Sequence, residues 1–264
     1  MTRRVLVTVA VALLVLLAGC GGTAEPTADS PAETTSPDGP SPTPTVGLDD
    51  VKLPTGVSES GVTDADALVS AHADALSGES ATVAMDFRLE VNGSGQNVSF
   101  RGKVTPDADA GWIQVTLQDG VGTYYTEAGT TYQRVESGGE TTYGTTDEVS
   151  AIPAEPRFGA DARIGDAVRA ANWTATGVVE RNGTRLIRME ATHVSVPDSV
   201  DVANASAVES SGVLLVDTEG VVHHVSVHTR VTADEKTVVY EIEVTVTDVG
   251  ATTIQRPDWV DEAS

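Results

Sequence analysis

Near the C-terminus, Val238, Tyr240, Ile242, Val244 and Val246 alternate with Glu241, Glu243, Thr245 and Thr247. A period of two sends successive side chains to opposite faces of a β-strand, whereas a helix would scatter the same residues around its axis. The pattern recurs along most of the chain and narrows the possible folds more than any other feature. Val83, Met85, Phe87, Leu89 and Val91 alternate with Asp86, Arg88 and Glu90, and Val98, Phe100 and Val104 with Ser99, Arg101 and Lys103. Ile113, Val115 and Leu117 form a third run. Turn pairs separate the runs at Asp119-Gly120, Ala128-Gly129 and Asn182-Gly183, the last between residues 174–180 and 184–194. Val213 to Val216, a turn at Asp217 to Gly220, and Val221, His223, Val225, Val227 and Val231 make a further hairpin. About ten strands with short connections predict an antiparallel meander.

Two helices are expected to interrupt the strands. Thr63 followed by Asp66 has the form of a capping box, and Leu68, Ala71, His72, Ala75 and Leu76 share a face before Ser77-Gly78 ends the turn. A second helix is predicted over residues 161–171, with Ile164, Ala167, Val168 and Ala171 on one stripe. Both are short and weakly apolar, so they can cover one face of a sheet but cannot form a bundle. The fold class is therefore α+β, an antiparallel meander sheet covered by short helices.

The N-terminus reads differently. Arg3 and Arg4 precede a 14-residue apolar run, Val5 to Ala18, which falls short of the about 20 residues of a membrane span and has the form of an export signal. Leu17-Ala18-Gly19-Cys20 has the form of the lipobox of secreted lipoproteins, in which small residues admit the peptidase and the cysteine thiol accepts the lipid. The competing reading is a buried cysteine. Thr2-Arg3-Arg4-Val5-Leu6 also resembles a twin-arginine signal. Residues 21–46 hold 6 Pro, 6 Thr and 3 Ser, a composition that cannot bury enough apolar area to offset its ordering entropy. The expected organisation is a signal peptide over 1–19, a lipidated Cys20 with a stalk over 20–46, and a folded domain over 47–264. That places the domain on the extracytoplasmic face of the cell membrane, with the membrane itself as a partner through Cys20.

Charge excludes one class of function and suggests a habitat. With 39 acidic against 16 basic side chains the chain carries −23, which argues against nucleic acid as a partner. Removing residues 1–19 takes away two arginines and no acid, leaving −25. This acid-rich composition, with three lysines and 11 aromatics, resembles proteins of extreme halophiles. At about 1 M salt the screening length falls to about 3 Å, so such self-repulsion is tolerated. A single cysteine rules out an intrachain disulfide or a cysteine-based zinc site.

The order of helix, meander, short helix, hairpin and three long strands resembles the half-barrel of bacterial lipoprotein carrier proteins and mycobacterial lipid-binding lipoproteins. Ser211-Gly212-Val213-Leu214-Leu215-Val216-Asp217 followed by Gly220-Val221-Val222 is similar to their penultimate hairpin. The lipobox, the Thr/Pro stalk and the ending Arg256-Pro257-Asp258-Trp259-Val260-Asp261 resemble haloarchaeal surface lipoproteins. The resemblance implies a sheet curved into a half-barrel whose concave face holds acyl chains under a helical lid. The helices offer small side chains as cover, so an apolar cavity of about 300–1,000 Å³ is expected. Leu89, Phe100, Ile113, Met189, Val225 and Ile242 would line it and hold a lipid or isoprenoid. Ordinary sheet-on-helix packing is the competing reading.

All five asparagines, Asn92, Asn97, Asn172, Asn182 and Asn204, stand in N-x-Ser/Thr sequons. With 52 Ser and Thr in the chain, chance gives this roughly once in three thousand. The expectation is a glycosylated surface. Catalytic chemistry leaves little trace. In a strand, His224 and His228 stand about 13 Å apart, too far to share an ion, and His223 is expected on the opposite, apolar face. His72 reads as a hydrogen-bonded interior residue, Glu241 and Glu243 as a solvated strand face. Asp107-Ala108-Asp109 faintly resembles a calcium loop that lacks its closing glutamate. The expected function is a non-catalytic module, without metal or cofactor, that binds an apolar ligand. The alternative is a structural or protein-interaction module of the cell envelope.

Overall fold

The computed structural model describes residues 47–106, 110–146, 160–195, 206–233 and 236–263. The export run, Cys20, the stalk, Asp107 to Asp109 and Asn204 lie outside the described residues. In chain order the elements are β1 (Val57–Ser58), β2 (Gly61–Val62), α1 (Ala65–Leu76), β3 (Ala81–Val91), β4 (Ser94–Val104), β5 (Ala110–Leu117), β6 (Gly120–Glu127), β7 (Thr130–Ser137) and β8 (Glu140–Thr146). There follow α2 (Ala160–Arg169), β9 (Thr174–Arg181), β10 (Thr184–Ala191), β11 (Ser206–Val216), β12 (Val222–Ala233), β13 (Lys236–Thr247) and a 3-10 turn at Asp258–Glu262.

Eleven strands form one open sheet in the order β8-β7-β6-β5-β4-β3-β13-β12-β11-β10-β9. It consists of two antiparallel meanders, β3 to β8 and β9 to β13, joined where β13 pairs with β3. The curved sheet does not close, so β8 and β9 remain at its edges. Local chemistry sets the hairpins. Asn92-Gly93, Ala128-Gly129, Gly138-Gly139 and Asn182-Gly183 each place two successive residues at positive φ, the conformation whose twist matches that of the flanking strands.

Register fixes the faces. Val83, Met85, Phe87 and Leu89 lie opposite Val246, Val244, Ile242 and Tyr240, and Val225, Val227 and Val231 opposite Val244, Ile242 and Val238. These residues form an inner face. Leu68 and Leu76 of α1 and Ile164, Ala167 and Val168 of α2 pack on it and are fully or almost fully buried. The segment from Leu48 to Val62 adds Leu48, Val51, Leu53, Val57 and Val62 to this cover, which is therefore larger than two helices.

Two side chains fasten the cover to the sheet. The Trp173 indole N–H donates to the Val168 carbonyl at the end of α2, and the ring lies on Gly212 of β11, where an added Cβ would come within 2.7 Å of it. His72 of α1, wholly buried, accepts at Nδ1 a hydrogen bond of 3.1 Å from the Val222 backbone N–H. This is the interior role expected for it.

Four details differ from the sequence expectation. The N-cap of α1 is Asp64, whose carboxylate accepts from the Ala67 N–H at 3.0 Å, while Thr63 donates instead to the Gly56 carbonyl. Helix α2 ends at Arg169, and Ala171 forms a bridge with Val194. Strand β8 was not expected, because Thr141, Thr142, Thr145 and Thr146 around Tyr143 give no apolar alternation. His223 does not enter the apolar face. It sits at the irregularity where β12 pairing shifts from His224 to Val222, and its Nε2 meets Asp217 Oδ2 at 2.8 Å. Bulges re-aim side chains in this way.

Because Gly212 has no room for a methyl group under the Trp173 ring, Gly212→Ala should displace the indole and lower stability by about 1–3 kcal/mol. Ser211→Ala, next to it on the exposed face, should change stability by no more than about 0.5 kcal/mol. Chemical denaturation of both variants in molar KCl checks the difference.

Candidate functional site

The face turned away from the helices carries a groove of about 450 Å³ across five adjacent strands, β4, β3, β13, β12 and β11. Two cross-strand rows form it. The first runs Ser211, His228, Glu241, Arg88, Asn97, and the second Val213, Ser226, Glu243, Asp86, Ser99. These are the alternates of the inner-face residues, and the period-two pattern delivers them together.

The groove is hydrogen-bonded within itself. His228 Nδ1 lies 2.9 Å from Glu241 Oε1. The Arg88 guanidinium donates to Glu241 at 3.5 Å and to Glu90 at 2.8 Å. Ser99 donates to Asp86 at 2.6 Å, and Arg101 pairs with the same carboxylate at 2.9 Å. Arg88 and Glu241 have side-chain exposures of 43% and 37%, so this pair contributes only about 0–1 kcal/mol. Ser211 faces His228 in register, but no hydrogen bond joins the two among the described residues.

A small second core lies on the same face beyond the groove, where Val179, Leu186 and Leu215 are buried together against Val213. His224 stands opposite Leu215. Burial, reinforced by the positive charges of Arg181 and Arg188, lowers its imidazole from 6.5 to about 4. At the tip of the β11–β12 hairpin, burial alone would raise the Asp217 carboxyl. The hydrogen bonds from His223 and from the backbone of Glu219 and Val221 outweigh burial and hold it below the ordinary value.

On the inner face the cover is incomplete at one end. Val91 of β3 and Leu117 of β5 are 43% and 53% exposed, and Leu89, Val98 and Val115 between them are partly buried. The six residues expected to line an apolar cavity divide between two places. Met189, Val225 and Ile242 are 0%, 0% and 2% exposed in the helix-covered core. Phe100 and Ile113, on β4 and β5, are also buried, at 8% and 4%, and Leu89 of β3 alone is partly exposed toward the open end. Of the six, Ile242 alone contributes to the groove on the other face.

The four described sequons are spread over the surface. Asn92 and Asn182 occupy exposed hairpin tips, Asn172 is exposed between α2 and β9, and Asn97 is exposed on β4 at the groove. Asn92 also accepts a backbone hydrogen bond from Thr237 at 2.8 Å. Its turn geometry alone thus favours asparagine, whatever is attached to it.

The model of one protein family, the family of unknown function DUF7537, matches residues 5–263. The chain belongs to that family. The matched range takes in the apolar N-terminal run, Cys20 and the Pro- and Thr-rich residues 21–46 as well as the sheet. No curated protein matches the sequence. Among solved structures it is similar to LprF from Mycobacterium bovis, at 13% identity and a TM-score of 0.40, over 75% of this chain and 98% of that one. The lipoprotein LppX from Mycobacterium tuberculosis is similar at 15% identity and a TM-score of 0.37, over 72% and 98%. Among the described residues of the DUF7537 protein, no helix is long and apolar enough to cross a membrane.

The lowered imidazole gives a pH signature. With the folded value near 4 and the unfolded value near 6.5, the unfolded chain binds more protons between the two. Stability is then fully present above about pH 6.5 and lost as pH falls toward 4, by at most about 3 kcal/mol. Replacing His224→Gln should flatten the stability profile across that window in molar KCl. An unchanged slope would assign acid lability elsewhere.

Proposed function

We propose that this protein is a lipid-anchored module of the extracytoplasmic cell surface that binds an apolar ligand without catalysing a reaction. The ligand, a fatty acyl or isoprenoid chain, lies on the inner face at the open end of β3, β4 and β5. The observation that carries the reading is the exposure there of Val91 and Leu117 beside partly buried Leu89, Val98 and Val115. Apolar side chains left in water cost about 25 cal/mol per Å². Anchoring rests on Cys20 within Leu17-Ala18-Gly19-Cys20, and the stalk would hold the domain clear of the bilayer. The sequons and the −23 charge fit a glycosylated surface working in high salt, and the assays below are set in molar KCl for that reason.

A second reading, an envelope interaction module, is favoured by the polar groove on the opposite face, whose 450 Å³ is large enough for a small ligand or a side-chain cluster of a partner.

A fluorescent fatty acid or isoprenoid titrated into the wild-type domain should bind saturably, and Leu117→Asp should weaken binding at least about tenfold, the effect of a charge in an apolar contact. Leu117 is already more than half exposed, so the variant keeps its fold. Absence of binding to the wild type would remove the apolar-ligand reading and leave the interaction module. Separately, Cys20→Ser in the native host should release the protein to the medium or leave its precursor unprocessed. Membrane fractionation checks this, and wild-type protein found wholly in the soluble fraction would contradict the anchor.

A further inference from the structure

Asn97 differs from the sequon asparagines at the hairpin tips. Asn92 and Asn182 sit in left-handed backbone at hairpin tips, where an attached group extends into solvent. Asn97 lies within a strand, at the end of the groove row Asn97, Arg88, Glu241, His228, Ser211. Its side chain is exposed, and β4 pairs with β5 only from Ser99 onward. The rim of the groove is therefore open beside Asn97.

The lining has the chemistry of a saccharide seat. Serine hydroxyls at Ser211 and Ser226 and the carboxylates of Glu241 and Glu243 offer donors and acceptors to sugar hydroxyls. The Arg88 guanidinium is already engaged by Glu90 and Glu241, and Glu243 is an exposed carboxylate at 57%. An anionic ligand would meet repulsion and a cation already paired. Neutral sugars meet neither difficulty.

We propose that Asn97 carries an N-linked saccharide whose first, neutral sugars fold back along this row, so that the groove is the seat of the protein's own glycan. The attachment uses a sugar activated as a lipid-linked diphosphate. The bond from the sugar C1 to the phosphate oxygen breaks, the bond from C1 to Asn97 Nδ2 forms, and the amide gives up one proton to the departing diphosphate or to water. The lipid diphosphate leaves with the bonding electrons. Tethering makes the weak contacts sufficient. A group attached at the rim has an effective concentration in the millimolar range, so hydrogen bonds too few to hold a free sugar can hold this one. From Asn97 to Ser211 the row crosses four strand spacings, about 19 Å at about 4.8 Å each, a span that suits a short oligosaccharide.

The test uses full-length protein purified from its native host, treated while folded with mild periodate in molar KCl and then read by site-resolved glycopeptide mass spectrometry. Asn97 should be occupied, and the sugars nearest it should be oxidised several-fold more slowly than those at Asn92 or Asn182. Ser226→Phe fills the middle of the groove without altering the acceptor sequence and keeps a residue suited to a strand. It should leave Asn97 occupied and abolish the protection. An unmodified Asn97, sugars there oxidised as fast as at the hairpin tips, or protection unaffected by Ser226→Phe would each overturn the proposal. The apolar-ligand assay reads the opposite face, so either reading can fail without the other.

Discussion

An open sheet with one apolar face must have that face covered, and the architecture of this protein follows from how the cover is held. A barrel would bury the face by closing on itself. Here two meanders meet at β3 and β13, the sheet stays open, and α1, α2 and the segment from Leu48 to Val62 supply the lid. The lid alone is weak, because its helices are short. Trp173 ties α2 to β11 through its ring and its indole N–H, and His72 ties α1 to the start of β12. The Val222 N–H lies beside the irregularity in the β11–β12 ladder, so the histidine also satisfies a buried donor that would otherwise cost about 1–3 kcal/mol.

Confining the lid to one face has two functional consequences. The opposite face remains polar, and the cross-strand register lines its alternating side chains up in two rows along a groove. On the covered face, the lid seals Met189, Val225 and Ile242 but leaves Leu89, Val91, Val98, Val115 and Leu117 partly or largely exposed at the far end. One chain thus presents an apolar strip and a hydrogen-bonding groove on opposite sides of a single sheet. The two proposed ligands divide accordingly, an acyl or isoprenoid chain on the former and sugars on the latter.

Much of this was legible in the residues. Period two gave β3, β4 and β13 their faces, and the i, i+4 spacing of Leu68, His72 and Leu76 gave α1 its buried side. The cap moved by one residue because Thr63 and Asp64 are both competent caps, and the carboxylate won. Strand β8 escaped because an edge strand held through backbone hydrogen bonds needs no apolar code, and Glu140–Thr146 has none. The bulge that redirects His223 toward Asp217 depends on pairing with β11, which no local pattern records. The groove was hidden for a related reason. Glu241 and Glu243 do occupy a polar strand face, as their alternation implied, but the groove depends on cross-strand register, a property of five strands together. The only trace in the sequence was the run of small or polar alternates at Ser99, Ser211 and Ser226.

The proposed apolar ligand lies on the inner face of the sheet. Its most direct test is extraction of the protein purified from native membranes in molar KCl, with mass spectrometry separating lipid bound covalently from lipid held without a bond. The account predicts an isoprenoid or acyl lipid released by solvent in near-equal proportion to protein, in addition to the lipid on the Cys20 peptide. Release of no lipid beyond that attached to Cys20 would contradict it.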